Sequence, residues 1–266
     1  MIIGILLGII QGVTEWLPVS SEGVITALSW FLLEKSFTES LALALWLHVG
    51  TAISAIIAFR GTIWALLSEC VQGIRRPSPL FLFIFVSTLI SGAIGAALLI
   101  LLTMAVPKSF GIAAMACVGL LMLVTAGLQF KMKGTAATRT RDSLSVKDSF
   151  IVGIAQGLAI LPGLSRSGLT IAALLACKFK RKEALELSFL MSVPASLGAG
   201  LYTVLSGGTD VTAEAMVAML IAAVTGLVTI RVLLSLANKI NLALFVMGLG
   251  IIMILGALIE ATSYLI

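Results

Sequence analysis

Long apolar runs are the feature that most restricts the folds open to this chain. A helix needs about 20 consecutive, mostly apolar residues to cross a bilayer. Several runs approach or exceed that length, and residues 80–104 contain no charged side chain. Only 11% of the 266 residues are charged, against about 25% in soluble domains. The runs lack the alternation typical of β-barrels, so the sequence predicts an all-α polytopic membrane protein.

Six of these runs are predicted to be transmembrane helices, and four shorter apolar segments flank two polar turns. The six lie at about residues 40–60, 80–104, 110–129, 184–206, 214–236 and 241–262. The short segments are residues 1–14 and 24–33 around the first turn, and 149–161 and 168–177 around the second. Short apolar arms beside a polar turn predict a re-entrant helical hairpin, which leaves the membrane on the side it entered.

The two polar turns resemble each other, QGVTEWLPVSSEG at Gln11–Gly23 and QGLAILPGLSRSG at Gln156–Gly168. Small residues also recur every four positions before each turn, at Gly4, Gly8 and Gly12 and at Ser149, Gly153 and Gly157. Such spacing puts small residues on one helix face, where another helix can approach closely. Chance is the alternative, because Gly and Ser are common in membrane helices.

The two halves therefore predict an inverted-topology repeat within one integral membrane domain, residues 1–266. Repeat one covers residues 1–130 and repeat two covers residues 145–266. Each repeat holds one hairpin and three spans, and an odd number of spans inverts the second repeat relative to the first. In this plan, broken helices meet near the membrane midplane.

The distribution of basic residues predicts which side of this topology faces the cytoplasm. Of the 17 Lys and Arg residues, 14 fall on one predicted face: Arg60, Arg75, Arg76, Lys131, Lys133, Arg139, Arg141, Lys147, Lys178, Lys180, Arg181, Lys182, Arg231 and Lys239. The positive-inside rule makes that face cytoplasmic and both termini external in a multi-pass plasma-membrane protein. Anionic inner-leaflet lipid accounts for the basic charge, so no nucleic-acid partner is predicted.

Arg166 lies in the second turn at predicted membrane depth. A charge there is costly and indicates a functional site, and the guanidinium fork suits phosphate. Hydroxyl groups from Ser165, Ser167 and Thr170 are candidate phosphate donors. Gly163 and Gly168 let the backbone approach a ligand, and the helix that follows can aim its first N–H groups at an anion. The alternative is an arginine paired with a carboxylate for packing alone.

The first turn supplies the carboxylate. Gln11 and Glu15 are four residues apart and share a helix face, where Glu15 could pair with Arg166, bind Mg²⁺ or Ca²⁺, or move a proton. Ser21 could attack a phosphorus atom or hold the phosphate. Ser20 could also bind phosphate, although helix capping explains it slightly better.

Smaller functional roles are predicted for the histidine, for Glu22 and for the three cysteines. His48, the chain's only histidine, is expected to hydrogen-bond a neighbouring helix rather than to act in catalysis. Glu22 is expected to face the external mouth of the site. Cys70, Cys117 and Cys177 are scattered and predicted to be packed free thiols.

These motifs resemble the undecaprenyl-diphosphate phosphatase family, also called the bacitracin-resistance family. That family carries an (E/Q)xxxE segment followed by Pro-Val-Ser-Ser, read here as QGVTE and LPVSS. Its PGxSRSxxT motif matches from Pro162 to Thr170, and Leu185–Ala199 is similar to its FSFL…P segment. The resemblance covers essentially the whole chain.

The resemblance implies removal of the terminal phosphate from undecaprenyl diphosphate, which yields the monophosphate lipid carrier for cell-wall glycan synthesis. It implies a site open to the outside, with Gln11 and Glu15 in the acidic motif, Ser21 as nucleophile or phosphate ligand, and Arg166 binding phosphate. In many members a histidine follows the Ser-Ser-x-Gly turn, and Val24 occupies that position here. Glu15, a metal-bound water or His48 could replace it.

The predicted function is therefore a membrane polyprenyl-diphosphate phosphatase. Its partners would be the polyprenyl diphosphate and the bilayer, and a homodimer is left open. The alternative is a polyprenyl-phosphate carrier or flippase that uses the same midplane site without hydrolysis.

Overall fold

The computed structural model describes residues 1–71, 77–105, 111–132, 138–161, 163–207 and 212–236, and short pieces between 247 and 258. The described residues up to 236 form ten α-helices and one short 3₁₀ turn, and the pieces between 247 and 258 are also helical. The helices are α1 Ile2–Thr14, α2 Ser21–Leu33, α3 Phe37–Ala58, α4 Arg60–Val71, α5 Pro79–Ala105, α6 Gly111–Met132, α7 Val146–Leu158, α8 Arg166–Ala176, α9 Arg181–Leu205 and α10 Ala213–Leu236. The predicted all-α class is confirmed.

Four helices of the described part are long and apolar enough to cross a membrane, and they lie at four of the six predicted spans. They are Phe37–Ala58, Pro79–Leu101, Arg181–Leu205 and Ala213–Ser235. The predicted span at 110–129 coincides with α6, and the one at 241–262 lies largely outside the described residues. Leu89, Leu201 and Val224 are each more than half exposed on the outer faces of these helices, as expected of side chains that face lipid.

The four short apolar arms are helices α1, α2, α7 and α8. Three of them begin earlier than predicted, at Ser21 rather than residue 24, at Val146 rather than residue 149 and at Arg166 rather than residue 168. A serine before each helix explains the difference, because its side chain accepts a backbone hydrogen bond from the first turn and caps the helix. Helix α4 was not predicted as a separate element.

The small faces of α1 and α7 allow close helix packing, as predicted. Helix α1 packs along α10, and α7 packs along α5. A Cβ atom added to Gly12 would lie 2.7 Å from the carbonyl oxygen of Ala222 in α10. One added to Gly157 would lie 2.7 Å from the Cβ of Ile94 in α5. The first arm of each pair, α1 or α7, therefore packs against a long helix from the other half of the sequence.

An ion pair fixes the start of α7. Arg139 donates to both Asp148 carboxylate oxygens at 2.9 and 2.7 Å and stacks on the Phe179 ring at 4.3 Å. Ser145 caps the helix through a reciprocal hydrogen-bond pair with Asp148. Burial raises the pKa of Asp148, but the hydrogen bonds from Arg139 and Ser145 outweigh burial and hold this pKa below its usual value.

The cysteines depart from the prediction. Cys70 and Cys117 are exposed, and Cys177 is half-buried. The prediction of packed thiols is therefore wrong for Cys70 and Cys117. Both lie on helices whose outer faces are not covered by other described parts of the chain, so their apolar sequence context reflects surface position rather than core packing.

Candidate active site

The two polar turns meet, and their meeting point brings Glu15 and Arg166 together. Glu15 follows the last residue of α1, and Arg166 is the first residue of α8. The Nη2 atom of Arg166 lies 2.5 Å from Glu15 Oε1. Its Nη1 atom donates to the backbone oxygen of Ser188 in α9 at 3.1 Å. The arginine therefore links both turns to a long helix.

The other oxygen of Glu15 accepts from three side chains. Oε2 lies 3.0 Å from Gln11 Nε2, 2.6 Å from Ser21 Oγ and 3.0 Å from His48 Nε2. Glu15 is only 3% exposed, so these contacts, with Arg166, replace the solvation that a buried carboxylate loses. The structure thus gathers Gln11, Glu15, Ser21 and Arg166, all predicted from the sequence, around one carboxylate.

Ser20 and the glycines connect the turns through the backbone. Ser20 Oγ accepts from Gly23 N at 3.1 Å and from Gly163 N at 2.9 Å. Gly163 has φ +105°, a conformation that favours glycine. Ser165 Oγ accepts from Gly168 N at 3.1 Å, which is the same capping contact in the second half. Ser20 and Ser165 therefore act as helix caps in this structure.

Ser167 and Thr170 also have protein partners. Ser167 Oγ donates to the Leu17 backbone oxygen at 2.7 Å, which ties the second turn to the first. Thr170 Oγ donates to the Arg166 backbone oxygen at 2.8 Å and lies 2.7 Å from Ser188 Oγ. These hydroxyl groups hold the two turns and α9 together. Their role in binding phosphate stays a prediction.

Two residues that the sequence interpretation set aside lie in the site. His48 Nδ1 lies 2.7 Å from the Ala44 backbone oxygen, and its Nε2 lies 3.7 Å from Glu22 Oε1 as well as 3.0 Å from Glu15. Glu22 is mostly buried beside it. An ionisable residue inside an apolar span was the available signal for His48. Val24 packs against Val19, Met122 and Ala126 instead.

A cavity of about 410 Å³ begins at this cluster and continues between α5, α7 and α9. Its polar end is lined by Glu22, His48 and Arg166. Small and apolar residues line most of the remainder: Gly92, Gly95, Ala96, Leu99, Ile160 and Ala199. Pro194 also borders it and cannot donate a helical hydrogen bond. The cavity can accept a molecule with a polar head and an apolar chain.

The predicted metal ligand does not fit its role in this arrangement. Both oxygens of Glu15 already accept from donors, namely Gln11, Ser21, His48 and Arg166. A cation would have to displace several of them. Among the described residues, no group of three or more His, Cys, Asp or Glu side chains is arranged to hold a metal ion.

Fold and site together define a class: helical membrane proteins with a buried Arg–Glu–Ser cluster where two turns meet, each of them between two short helices. The family model described as bacitracin resistance protein BacA matches residues 4–257. The chain belongs to that family.

Relatives called undecaprenyl-diphosphatase match this chain along nearly its whole length. The one from Methanococcoides burtonii is 38% identical, over 94% of this chain and 96% of its own. The one from Pyrobaculum aerophilum is 36% identical, over 96% of each chain. The one from Saccharolobus solfataricus is 33% identical, over 98% of this chain and 96% of its own.

Proposed function

We propose that this protein is a membrane phosphatase that hydrolyses undecaprenyl diphosphate, or a related polyprenyl diphosphate, to the monophosphate lipid and inorganic phosphate. The observation that carries the proposal is the Glu15 carboxylate, which contacts a serine hydroxyl and an arginine from the opposite turn. A hydroxyl beside a base, next to a cation, is the arrangement that nucleophilic attack on a phosphate requires. The names of the relatives agree with it.

Ser21 is the proposed nucleophile. Its O–H group points at Glu15 Oε2 from 2.6 Å, so Glu15 can take the proton as Ser21 Oγ bonds to the terminal phosphorus. The bond from that phosphorus to the bridging oxygen breaks, and the polyprenyl monophosphate leaves with the electron pair. Water then attacks the phosphorus of the phosphoserine, inorganic phosphate departs, and Ser21 Oγ recovers a proton.

Arg166 is the proposed phosphate-binding residue. Its guanidinium holds Glu15 before substrate arrives and would exchange that partner for phosphate oxygens, which it can bind in bidentate fashion. The first residues of α2 and α8 are Ser21 and Arg166, so the free N–H groups of both helix starts lie near the same point. Two helix N-termini favour an anion there.

The cavity between α5, α7 and α9 supports a place for the start of the isoprenoid chain. Its polar end carries Arg166, and its apolar part runs toward Ile100 and Tyr202. Apolar lining stabilises a hydrocarbon chain by removing it from water or from headgroups. The diphosphate would lie at the turns while the rest of the chain extends between helices into lipid.

The membrane arrangement proposed for this activity has six spans, two re-entrant hairpins and two inverted repeats, residues 1–130 and 145–266. Helices α1, α2 and α3 correspond to α7, α8 and α9 at the 145-residue offset between the turns. The crossed packing of α1 on α10 and of α7 on α5 also supports an internal symmetry. The positive-inside rule then places both termini, and the opening of the site, outside the plasma membrane.

The carrier alternative is not favoured. A carrier needs to grip a lipid phosphate but has no use for a serine hydroxyl aligned on a carboxylate. The relatives that match along nearly their whole length are called diphosphatases. Movement of labelled lipid between leaflets without phosphate release would instead support the carrier alternative.

The test is phosphate release from a C55 polyprenyl diphosphate by the purified full-length protein in detergent. Arg166→Ala and Ser21→Ala should each lower turnover at least about 10²-fold. Arg231→Ala and Ser235→Ala change the same residue types at exposed positions and should keep wild-type turnover. A folded wild-type protein that releases no phosphate with Mg²⁺ or Ca²⁺ present would refute the proposed function.

A further inference from the structure

The cavity at the two turns is lined by oxygen acceptors that have no donor. Glu22 Oε2, Gln156 Oε1 and Thr88 Oγ1 are all buried without a hydrogen-bond partner, and all three residues line this cavity. Gln156 is 5% exposed. Its Nε2 donates to Ser91 Oγ at 3.0 Å, so the free Oε1 of the same amide points away from Ser91. Buried acceptors without partners indicate a missing donor or cation.

The diphosphate could accept a hydrogen bond from the Thr88 hydroxyl, but it cannot satisfy Glu22 Oε2 or Gln156 Oε1, because its own oxygens are acceptors too. It also adds negative charge beside Glu22. Among the described residues that line the cavity, Arg166 and His48 can carry positive charge, and both already contact Glu15. His48 Nε2 lies 3.7 Å from Glu22 Oε1 and offsets part of the charge there. Glu22 Oε2 and the added phosphate charge still lack a compensating cation, and an uncompensated buried charge is costly.

We propose that Glu22 and Gln156 form a binding site for a divalent cation, Mg²⁺ or Ca²⁺, at the polar end of this cavity. Hard cations prefer carboxylate and amide oxygens, and Mg²⁺ is commonly held by one or two carboxylates plus substrate phosphates. His48 lies 3.7 Å from Glu22 Oε1 and leaves Oε2 free. The inference rests on the proposed function for the identity of the phosphate, and it moves the metal ligand from Glu15 to Glu22.

Mn²⁺ is the probe that tests this site, because its electron paramagnetic resonance signal reports binding without turnover. The full-length protein in detergent is titrated with Mn²⁺ alone and with Mn²⁺ plus a prenyl methylene-diphosphonate, a diphosphate mimic that cannot be cleaved. The analogue should strengthen Mn²⁺ binding by the wild type. Glu22→Gln should weaken binding at least about ten-fold, and Gln156→Leu should weaken it less.

Two variants make the result specific to Glu22. Glu34→Gln makes the same change at an exposed carboxylate at the end of the same helix and should bind Mn²⁺ like the wild type. Glu15→Gln should lose phosphate release but keep Mn²⁺ binding. If Glu22→Gln does not fold, Glu22→Asp replaces it. Glu22→Asp keeps the charge, and both this variant and the separate Gln156→Leu variant should bind Mn²⁺ more weakly than the wild type.

The proposed site would be overturned if Glu22→Gln binds Mn²⁺ as tightly as the wild type. If Glu22→Gln does not fold, wild-type Mn²⁺ affinity in both Glu22→Asp and Gln156→Leu would overturn it. The site would also be overturned if Glu15→Gln loses Mn²⁺ binding while Glu22→Gln keeps it. These outcomes are distinguishable from failure of the proposed function. That failure would be wild-type protein that binds Mn²⁺ with the analogue yet releases no phosphate from the polyprenyl diphosphate.

Discussion

His48 is fixed at both ring nitrogens and sets the position of the Glu15 carboxylate. Nδ1 faces a backbone oxygen and Nε2 faces Glu15 Oε2, and both of these oxygens can only accept when Glu15 is ionised. The ring therefore donates at both ends. His48→Ala should lower kcat for phosphate release by about 10²-fold or more, with a smaller change in KM, because it removes a donor from the catalytic base.

His48→Gln separates positioning from packing, because its amide can still donate a hydrogen bond toward Glu15. This variant should recover part of the kcat lost in His48→Ala, as measured by steady-state phosphate release from the same lipid. Equal kcat in the wild type and in His48→Ala would contradict the role. A loss that appears only in KM would instead assign His48 to substrate binding.

Local spacing predicts some of these residue contacts and not others. Gln11 and Glu15 are four residues apart on one helical turn, so their contact at 3.0 Å follows from sequence alone. The contact between Glu15 and His48 depends on how α3 is rotated against the turn after α1. No short-range rule gives that rotation, because packing between helices sets it. The sequence therefore revealed the carboxylate, serine and arginine but not the histidine.

At the scale of helices, the start of α7 should respond to pH through Asp148. Its pKa is lowered in the folded protein, so the ion pair with Arg139 contributes stability above the unfolded-state pKa of about 3.9 and loses it as pH falls through the folded-state pKa. At near-neutral pH, Asp148→Asn should lower the free energy of unfolding by about 1–3 kcal/mol.

The pH dependence of that difference is the measurement. The unfolding free energies of the wild type and Asp148→Asn in detergent should differ by a constant amount above about pH 5 and converge below about pH 4. Asp142→Asn, which removes an exposed carboxylate from the same loop, should follow the wild type throughout. A difference that persists unchanged in acid would show that the ion pair contributes nothing.

Helix boundaries follow from the sequence where capping residues and apolar periodicity agree. Ser36 and Ser145 each form a capping box with the third residue of the helix that follows, a pattern readable from spacing. Helix α4 is different, because it continues directly after α3 with Phe59 between them. Gly61 lies two residues after Phe59, but a single glycine is tolerated within a helical pattern, so it does not by itself predict a second helix.

For the whole molecule, the small faces of α1 and α7 specify which helices can meet. Gly8 and Gly12 contact α10, while Gly153 and Gly157 contact α5. The first arm of each helix pair thus packs on a helix of the half of the chain that does not contain it. This exchange brings Glu15 and Arg166, 151 residues apart, into one site. The sequence repeat predicts two similar turns, whereas their pairing partners depend on the packed helices.

The membrane orientation of the whole molecule is testable at two native cysteines. Cys70 lies on α4, and Cys177 follows α8. In the proposed topology both are cytoplasmic, because basic residues flank each of them in sequence and basic loops stay inside. A membrane-impermeant maleimide applied to intact cells should therefore leave both thiols unlabelled until the membrane is permeabilised.

Two single-cysteine variants and one external marker make this labelling decisive. The first variant keeps only Cys70 and the second only Cys177, with Ser at the other native positions. Glu34→Cys in a background without native cysteines marks the turn between α2 and α3 and should label in intact cells. Because Cys177 lies at the end of the second hairpin, its protection would mean that this hairpin returns to the cytoplasm.

Labelling of Cys70 and Cys177 in intact cells, with protection of the Glu34→Cys marker, would reverse the topology. The phosphate site would then face the cytoplasm, and the enzyme could not act on diphosphate lipid in the outer leaflet.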